Sequence, residues 1–188
     1  MKIIFLDVDG VLNGYGYGTK LAWDFAIFTK SDKIKDFVRK VFDPCGVHRL
    51  KVKRLSKIIK ATGAKVVMSS TWRFSFWKKP YQDMSSNLKR LVDLFIEYDI
   101  DVIDITPGLL GSNRDQEILN WLAVNEEKVD KFIILDDENT ILKLFKNDRR
   151  FIQTSTVKKG EMIMGYYKER TGLKNKHVKE AIKILNEE

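Results

Sequence analysis

The chain has very little of what holds small secreted proteins together, with one cysteine, Cys45, and three prolines among its 188 residues. A single cysteine excludes an intramolecular disulfide framework and any zinc site built from several cysteines, so we expect a reducing compartment. The chain also lacks an apolar run of about 18 residues. Met1 is not followed by the basic segment and then the apolar segment that are typical of a secretory signal peptide. We therefore expect a cytoplasmic protein without a membrane segment.

The overall composition is that of a globular protein. Hydrophobic residues make up 44% of the sequence and charged residues 32%, which argues against a disordered chain. This length suits one ordinary domain, and no linker, repeat or low-complexity segment divides it, so we predict a single domain over residues 1–188. The formal net charge of +8 favours acidic partners, such as nucleic acid or phosphorylated small molecules.

Short apolar runs alternate with helical patterns along the chain. Five runs, most of them without strict alternation, predict strands that are covered on both faces: Lys2–Asp9, Lys65–Ser70, Asp101–Thr106, Lys131–Asp137 and Phe151–Thr156. Apolar residues at helical spacing lie between and after them: Val52, Leu55, Ile58 and Ile59; Leu88, Leu91, Val92 and Phe95; Ile118, Trp121 and Leu122; and Ile182 and Leu185. Asn113, with Gln116 three residues later, predicts an N-terminal cap for the third of these helices. The alternation predicts an α/β fold with helices on both faces of a parallel sheet of about five strands.

Carboxylates and hydroxyls end three of these strands: Asp7 and Asp9, Ser69 and Ser70, and Asp136 and Asp137. Because the carboxyl ends of parallel strands share one edge of the sheet, we expect these side chains to meet there. Two carboxylates about 4 Å apart repel each other by roughly 4 kcal/mol at an effective dielectric near 20, so such a cluster needs a cation or a shared proton. Oxygen ligands favour magnesium, which usually bridges to a substrate phosphate, and a carboxylate can attack phosphorus directly.

Four motifs stand in order along the chain: "FLDVDGVLN", "LSKIIKATGAKVVMSSTWR", "ITPGLLGSNRDQEILNWL" and "FIILDDENT". They resemble the motifs of the haloacid dehalogenase (HAD) superfamily of aspartate-nucleophile phosphatases. More particularly, they resemble the phosphatase domain of RNA-repair and polynucleotide kinase-phosphatase proteins, from Lys2 to about Thr140. The resemblance implies a HAD-like, Rossmann-like three-layer sandwich. It also implies a magnesium-dependent phosphomonoester hydrolase with an aspartyl-phosphate intermediate.

The resemblance also implies a role for each motif residue. Asp7 is expected to be the nucleophile, and Asp9 the general acid and then the general base. Ser69 is expected to donate a hydrogen bond to the transferring phosphoryl group. Arg114 matches the cation that neutralises this group, with Lys143 as the alternative.

A magnesium ion is implied at the same site. Its ligands would be the Asp7 side chain, the Asp9 main-chain carbonyl and one of Asp136 and Asp137, with Asp137 favoured for the direct contact. Further contacts to the substrate are expected from Gly10, Tyr15, Ser70, Trp72 and Arg73.

The intervals between the motifs leave little room for a large cap domain, so we expect an open site that suits large substrates. The segment Trp72–Tyr81 interleaves aromatic and basic residues, as in surfaces that stack bases and contact phosphates. A basic stripe on one predicted helix points the same way: Arg49, Lys53, Lys57 and Lys60. The structural alternatives are core or lid packing for the aromatic residues and an ordinary solvated face for the stripe.

The leading functional hypothesis is removal of a terminal phosphate from RNA or DNA. One alternative is a phosphatase of free nucleotides or other small metabolites, and another is a nucleic-acid-binding module with little catalysis. Dehalogenase chemistry is disfavoured because it has no use for Asp9. The phosphate-loop pattern G-x-x-x-x-G-K-[ST] is absent from the sequence, so any kinase, or ligase, would be a separate partner. The segment Val157–Lys176 fits a lid, a dimer surface or packing below the sheet.

Overall fold

All five predicted strands are present in the structure, a computed structural model that describes residues 1–13, 31, 33–34, 46–108, 113–137, 142–154 and 172–187. The strands are β1 (Lys2–Leu6), β2 (Lys65–Met68), β3 (Val102–Ile105), β4 (Lys131–Asp136) and β5 (Phe151–Gln153). They form one parallel sheet in the order β3-β2-β1-β4-β5. The predicted α/β class and strand number are therefore confirmed.

The central strands end earlier than predicted, and this matters for the site. β1 ends at Leu6 and β2 at Met68, so Asp7 and Ser69 are the first residues beyond the ladder. Both are still tied to a neighbouring strand, because the Asp7 N–H donates to Leu135 O and the Ser69 N–H to Leu6 O, each at 2.9 Å. Their backbones are thus held as firmly as strand residues, while their side chains emerge at the carboxyl edge.

Five helices accompany the sheet in the described part of the chain: α1 (Arg49–Thr62), α2 (Arg73–Lys78), α3 (Ser86–Glu97), α4 (Arg114–Val124) and α5 (Asn175–Asn186). The predicted apolar faces of α1, α3, α4 and α5 all turn inward. The short helix α2 is not expected from the sequence. It packs on α3 through Phe76 and Phe95, whose ring centroids are 6.1 Å apart.

Alternate residues of β1 feed two cores on opposite faces of the sheet. Ile4 and Leu6 belong to the core beneath α1, α3 and α5, whereas Ile3 and Phe5 belong to the core beneath α4. The Phe5 ring meets the Trp121 ring edge-on, with centroids 5.4 Å apart. The result is the expected three-layer sandwich. Within the described residues no cap domain stands apart from it, and none of the described helices has the length and apolarity needed to cross a membrane.

The start of α4 corrects one detail of the sequence analysis. Asn113 occupies the N-cap position with extended backbone, but its side chain makes no capping hydrogen bond. The Gln116 side chain does not reach back to it, because its Nε2 donates along the helix to Asn120 Oδ1 at 3.4 Å. The predicted helix start is right, and the predicted capping box is wrong.

Candidate active site

Three carboxylates converge where β1 and β4 end. One oxygen each of Asp7, Asp136 and Asp137 lies within 4.8 Å of the others. Asp136 is fully buried and Asp7 is only 3% exposed. Burial of this much negative charge needs compensation by a cation.

Arg114 supplies part of that compensation from the first residue of α4. Its Nη1 lies 3.4 Å from Asp7 Oδ1 and also donates a hydrogen bond to Asp136 Oδ2. Burial alone lowers the pKa of Arg114, but the Asp7 and Asp136 carboxylates outweigh it and raise the pKa. Lys143, the alternative cation, is exposed. The structure therefore favours Arg114 as the cation of the site.

The Asp7 carboxyl is held in an unusual state of ionisation. Burial and the neighbouring Asp136 raise the pKa of Asp7 from 3.8 to about 7, against the opposing effects of Arg114 and a hydrogen bond from Ser70. In the absence of a metal ion, burial and Asp136 thus favour the protonated form of Asp7 to a higher pH than for a free aspartate. A divalent cation beside this group would favour its ionised form, which is the form a nucleophile needs.

Asp9 lies at the mouth of the site and is exposed, in contrast to Asp7. Its Oδ1 accepts a hydrogen bond from Asn13 Nδ2 at 2.6 Å, and its Oδ2 accepts one from the Trp72 indole N–H at 2.9 Å. Two neutral donors therefore fix the orientation of this carboxyl. Asn13 was not singled out in the sequence, although it closes the first motif, "FLDVDGVLN", four residues after Asp9.

The two hydroxyls after β2 have different surroundings. The Ser70 side chain hydrogen-bonds to Asp7, whereas Ser69 Oγ is buried and has no partner among the described residues. The structure thus brings Ser70 to Asp7, although the sequence analysis gave the phosphoryl contact to Ser69. Two adjacent hydroxyls follow the strand, and the sequence does not show which one turns toward Asp7.

One comparison with known proteins gives a match. The model of the family described as the HAD domain in Swiss Army Knife RNA repair proteins matches residues 3–159. The chain belongs to this family. No curated protein and no solved structure matches it. Family membership supports phosphatase chemistry in general for this HAD domain.

Arg73 has a structural position in the HAD domain, which corrects its assignment as a phosphate contact. Its guanidinium donates to the carbonyl oxygens of Ser69, Ser70 and Thr106, at 2.9 to 3.3 Å. Its Nη2 also forms a buried ion pair with Glu117 Oε2 at 2.9 Å. The side chain is therefore occupied in tying the ends of β2 and β3 to α4. Glu117 was missed because nothing in the sequence pairs it with a residue 44 positions away.

Gly10 acts through its backbone conformation. Its φ is +69°, and a Cβ added there would lie 2.1 Å from Asp137 Cγ. Its N–H donates to Asn13 Oδ1 at 2.8 Å, and its carbonyl accepts from Thr154 Oγ1 at 2.9 Å. Both backbone groups are thus hydrogen-bonded within the protein. The missing side chain of Gly10 leaves room for the Asp137 carboxylate, so the geometry favours this role over a substrate contact.

The expected nucleic-acid contacts of the HAD domain are only partly described. Tyr15 and most of the segment 157–176 lie outside the described residues. Three side chains of the aromatic segment are exposed by 41 to 49%: Phe74, Trp77 and Tyr81. In the basic stripe, Arg49 pairs with Glu97, while the three lysines are exposed.

Proposed function

We propose that this HAD domain is a magnesium-dependent phosphomonoester hydrolase that works through an aspartyl-phosphate on Asp7. The proposal rests on the difference in burial between Asp7 and Asp9, the two carboxylates of the first motif. Asp7 is buried beside Arg114 and two further carboxylates, whereas Asp9 is exposed at the mouth. We therefore assign the attack on phosphorus to Asp7 and the exchange of protons with the leaving group and water to Asp9.

The donor set fits magnesium. Three carboxylates within reach of one point offer only oxygen ligands, which suits a hard divalent ion. We propose Asp7 and Asp137 as direct ligands and the Asp9 carbonyl as the third, with Asp136 holding Arg114 beside them through its hydrogen bond. When bound, the ion neutralises charge on both the nucleophile and the phosphoryl oxygens.

The proposed reaction has two steps. A carboxylate oxygen of Asp7 attacks phosphorus, the bond from phosphorus to the leaving oxygen breaks, and that oxygen takes a proton from Asp9. Asp9 then takes a proton from a water molecule, whose oxygen attacks phosphorus and frees both phosphate and Asp7. Arg114 and Ser70 lie beside Asp7 in positions to stabilise the charge that develops on the phosphoryl oxygens.

As the substrate we propose the terminal phosphate of a nucleic acid. The RNA repair role of the proteins named in the family description supports this, as do the exposed aromatic side chains of the segment that follows β2. Free nucleotides and other small phosphate esters are the second candidate class, since the site chemistry is the same for them. We further propose that the HAD domain works in the cytoplasm with a separate kinase or ligase.

A phosphate-release assay tests the proposal. Oligonucleotides with 3′- or 5′-phosphate, free nucleotides and a generic aryl phosphate are compared with magnesium or with EDTA. Asp7→Asn should abolish turnover, and Asp101→Asn, which changes an exposed aspartate away from the cluster, should not. Turnover that survives both Asp7→Asn and EDTA would overturn the mechanism.

The same assay separates the substrate hypotheses. Equal weak turnover of all compounds would remove the nucleic-acid substrate. Oligonucleotide binding without turnover of any ester would instead favour the binding module.

A further inference from the structure

A polar cavity of about 290 Å³ adjoins the residues that hold Asp9. Its lining consists of Thr71, Trp72, Ser75, Ser85, Asn87 and Leu88. Trp72 belongs to both places, because it lines the cavity and its indole N–H donates to Asp9 Oδ2 at 2.9 Å. The cavity is therefore one side chain away from the proposed general acid.

This position places the cavity on the leaving-group side of the reaction. In the proposed mechanism, Asp9 transfers its proton to the oxygen that links phosphorus to the rest of the substrate. That oxygen must therefore come within hydrogen-bond distance of Asp9. The chemical group attached to it lies on the Asp9 side of the site, away from the buried Asp7, and Trp72 borders the space available there.

The lining selects an uncharged ring with hydrogen-bonding groups. Its described lining contains three hydroxyls, one amide and no charged side chain, with Trp72 and Leu88 as the apolar surfaces. Such a surface suits the hydroxyls of a sugar and the edge and face of a base, and it provides no cation for a second phosphate. A volume of about 290 Å³ lies near the lower end of the roughly 300–1,000 Å³ typical of small-ligand sites. It suits one nucleoside rather than a base pair.

We propose that this cavity binds the nucleoside that carries the scissile phosphate. The assignment rests on the proposed function, because Asp9 defines the leaving-group side. The cavity would provide specificity for the leaving group, which the cluster of carboxylates does not contact. Binding energy from the nucleoside would orient the leaving oxygen toward Asp9.

Substrates with and without a nucleoside as the leaving group test this proposal. Adenosine 3′- and 5′-monophosphate present a nucleoside, whereas acetyl phosphate has a small leaving group that needs neither the cavity nor a proton donor. Asn87→Ala and Ser75→Ala should each reduce kcat/KM about 2- to 12-fold for whichever nucleotide is the better substrate, the factors that correspond to roughly 0.5–1.5 kcal/mol for one hydrogen bond. Turnover of acetyl phosphate should be unchanged.

Ser86→Ala is the matched control, because Ser86 is exposed in the same helical turn but does not line the cavity. It should leave both activities unchanged. Equal losses on acetyl phosphate and on the nucleotide would show that Asn87 and Ser75 act on the catalytic centre in general. That result, or full nucleotide activity in both variants, would overturn the proposal.

A binding measurement distinguishes this proposal from the proposed function. Adenosine, which has no phosphate, should shift the indole N–H resonance of Trp72 in the NMR spectrum of the wild-type protein, and Asn87→Ala should weaken that binding. A shift without turnover of any ester would leave the cavity assignment standing while refuting the phosphatase. Absence of any shift at millimolar adenosine would refute the cavity assignment.

Discussion

The Asp7 carboxyl should make the metal-free protein less stable as the pH rises. Its pKa is about 7 in the folded protein and 3.8 ordinarily, because burial and Asp136 disfavour the charge. The folded state therefore binds this proton more tightly than the unfolded state. Its contribution to stability is complete below pH 3.8 and is lost as the pH rises through 7. Three pKa units at 1.36 kcal/mol each correspond to about 4 kcal/mol over the whole range, of which about 3 kcal/mol falls between pH 5 and pH 8.

Urea unfolding in EDTA at pH 5, 6, 7 and 8 measures this effect. The wild-type free energy of unfolding should fall by about 3 kcal/mol more than that of Asp7→Asn across this range. Titrating groups far from Asp7 are present in both proteins, so their contributions cancel, and the difference reports Asp7 together with the groups coupled to it. Magnesium should restore most of the wild-type stability at pH 8, because it binds the ionised form. Parallel pH profiles in EDTA would refute the reasoning that Asp7 is a buried carboxyl beside a second carboxylate.

Three further predictions concern other residues. Burial, with lysines and an arginine nearby, lowers the pKa of His177 to about 4. The folded state therefore binds this proton less tightly than the unfolded state, and the contribution of neutral His177 to stability is complete above pH 6.5. The free energy of unfolding should fall by about 2 kcal/mol between pH 7 and pH 5. In urea unfolding with EDTA, the His177→Gln variant should lack this loss. If the wild type and the variant lost equal stability at acid pH, the lowered pKa of His177 would be contradicted. Gly10→Ala should weaken magnesium binding about 10- to 100-fold in calorimetry, because its Cβ would displace Asp137; unchanged affinity would show that Asp137 is not a ligand. Arg114→Gln should reduce kcat about 10²- to 10³-fold, with partial recovery in Arg114→Lys; a loss below tenfold in Arg114→Gln would assign the cation elsewhere.

The place of the site follows from the sequence because of a general property of parallel sheets. Apolar runs that end in Asp7, Ser69 and Asp136 predict which side chains share the carboxyl edge, and the structure brings carboxylates from β1 and β4 together there. Arg114 was identified by the resemblance of its motif, and the structure brings its Nη1 to 3.4 Å from Asp7 Oδ1. These features depend on period and order along the chain, and both are visible without coordinates.

Other features depend on which way a single side chain turns. The choice between Ser69 and Ser70 is of this kind, because one residue along an extended chain reverses the direction of the side chain. The helix α2 was also missed, since its six residues, Arg73–Lys78, are too few to show a helical period. Gly10 was assigned as a substrate contact because the sequence does not show its close approach to Asp137, which lies in a distant part of the chain.

The buried pair of Arg73 and Glu117 has a consequence for how such domains diverge. Loss of either partner leaves a buried charge uncompensated, which typically costs about 3–5 kcal/mol, whereas joint replacement by apolar residues of similar volume can be neutral. Related domains should therefore keep both residues or change both together. Where positions 73 and 117 change together and Arg114 is retained, the buried contacts that support the active site have changed while its cation has been kept.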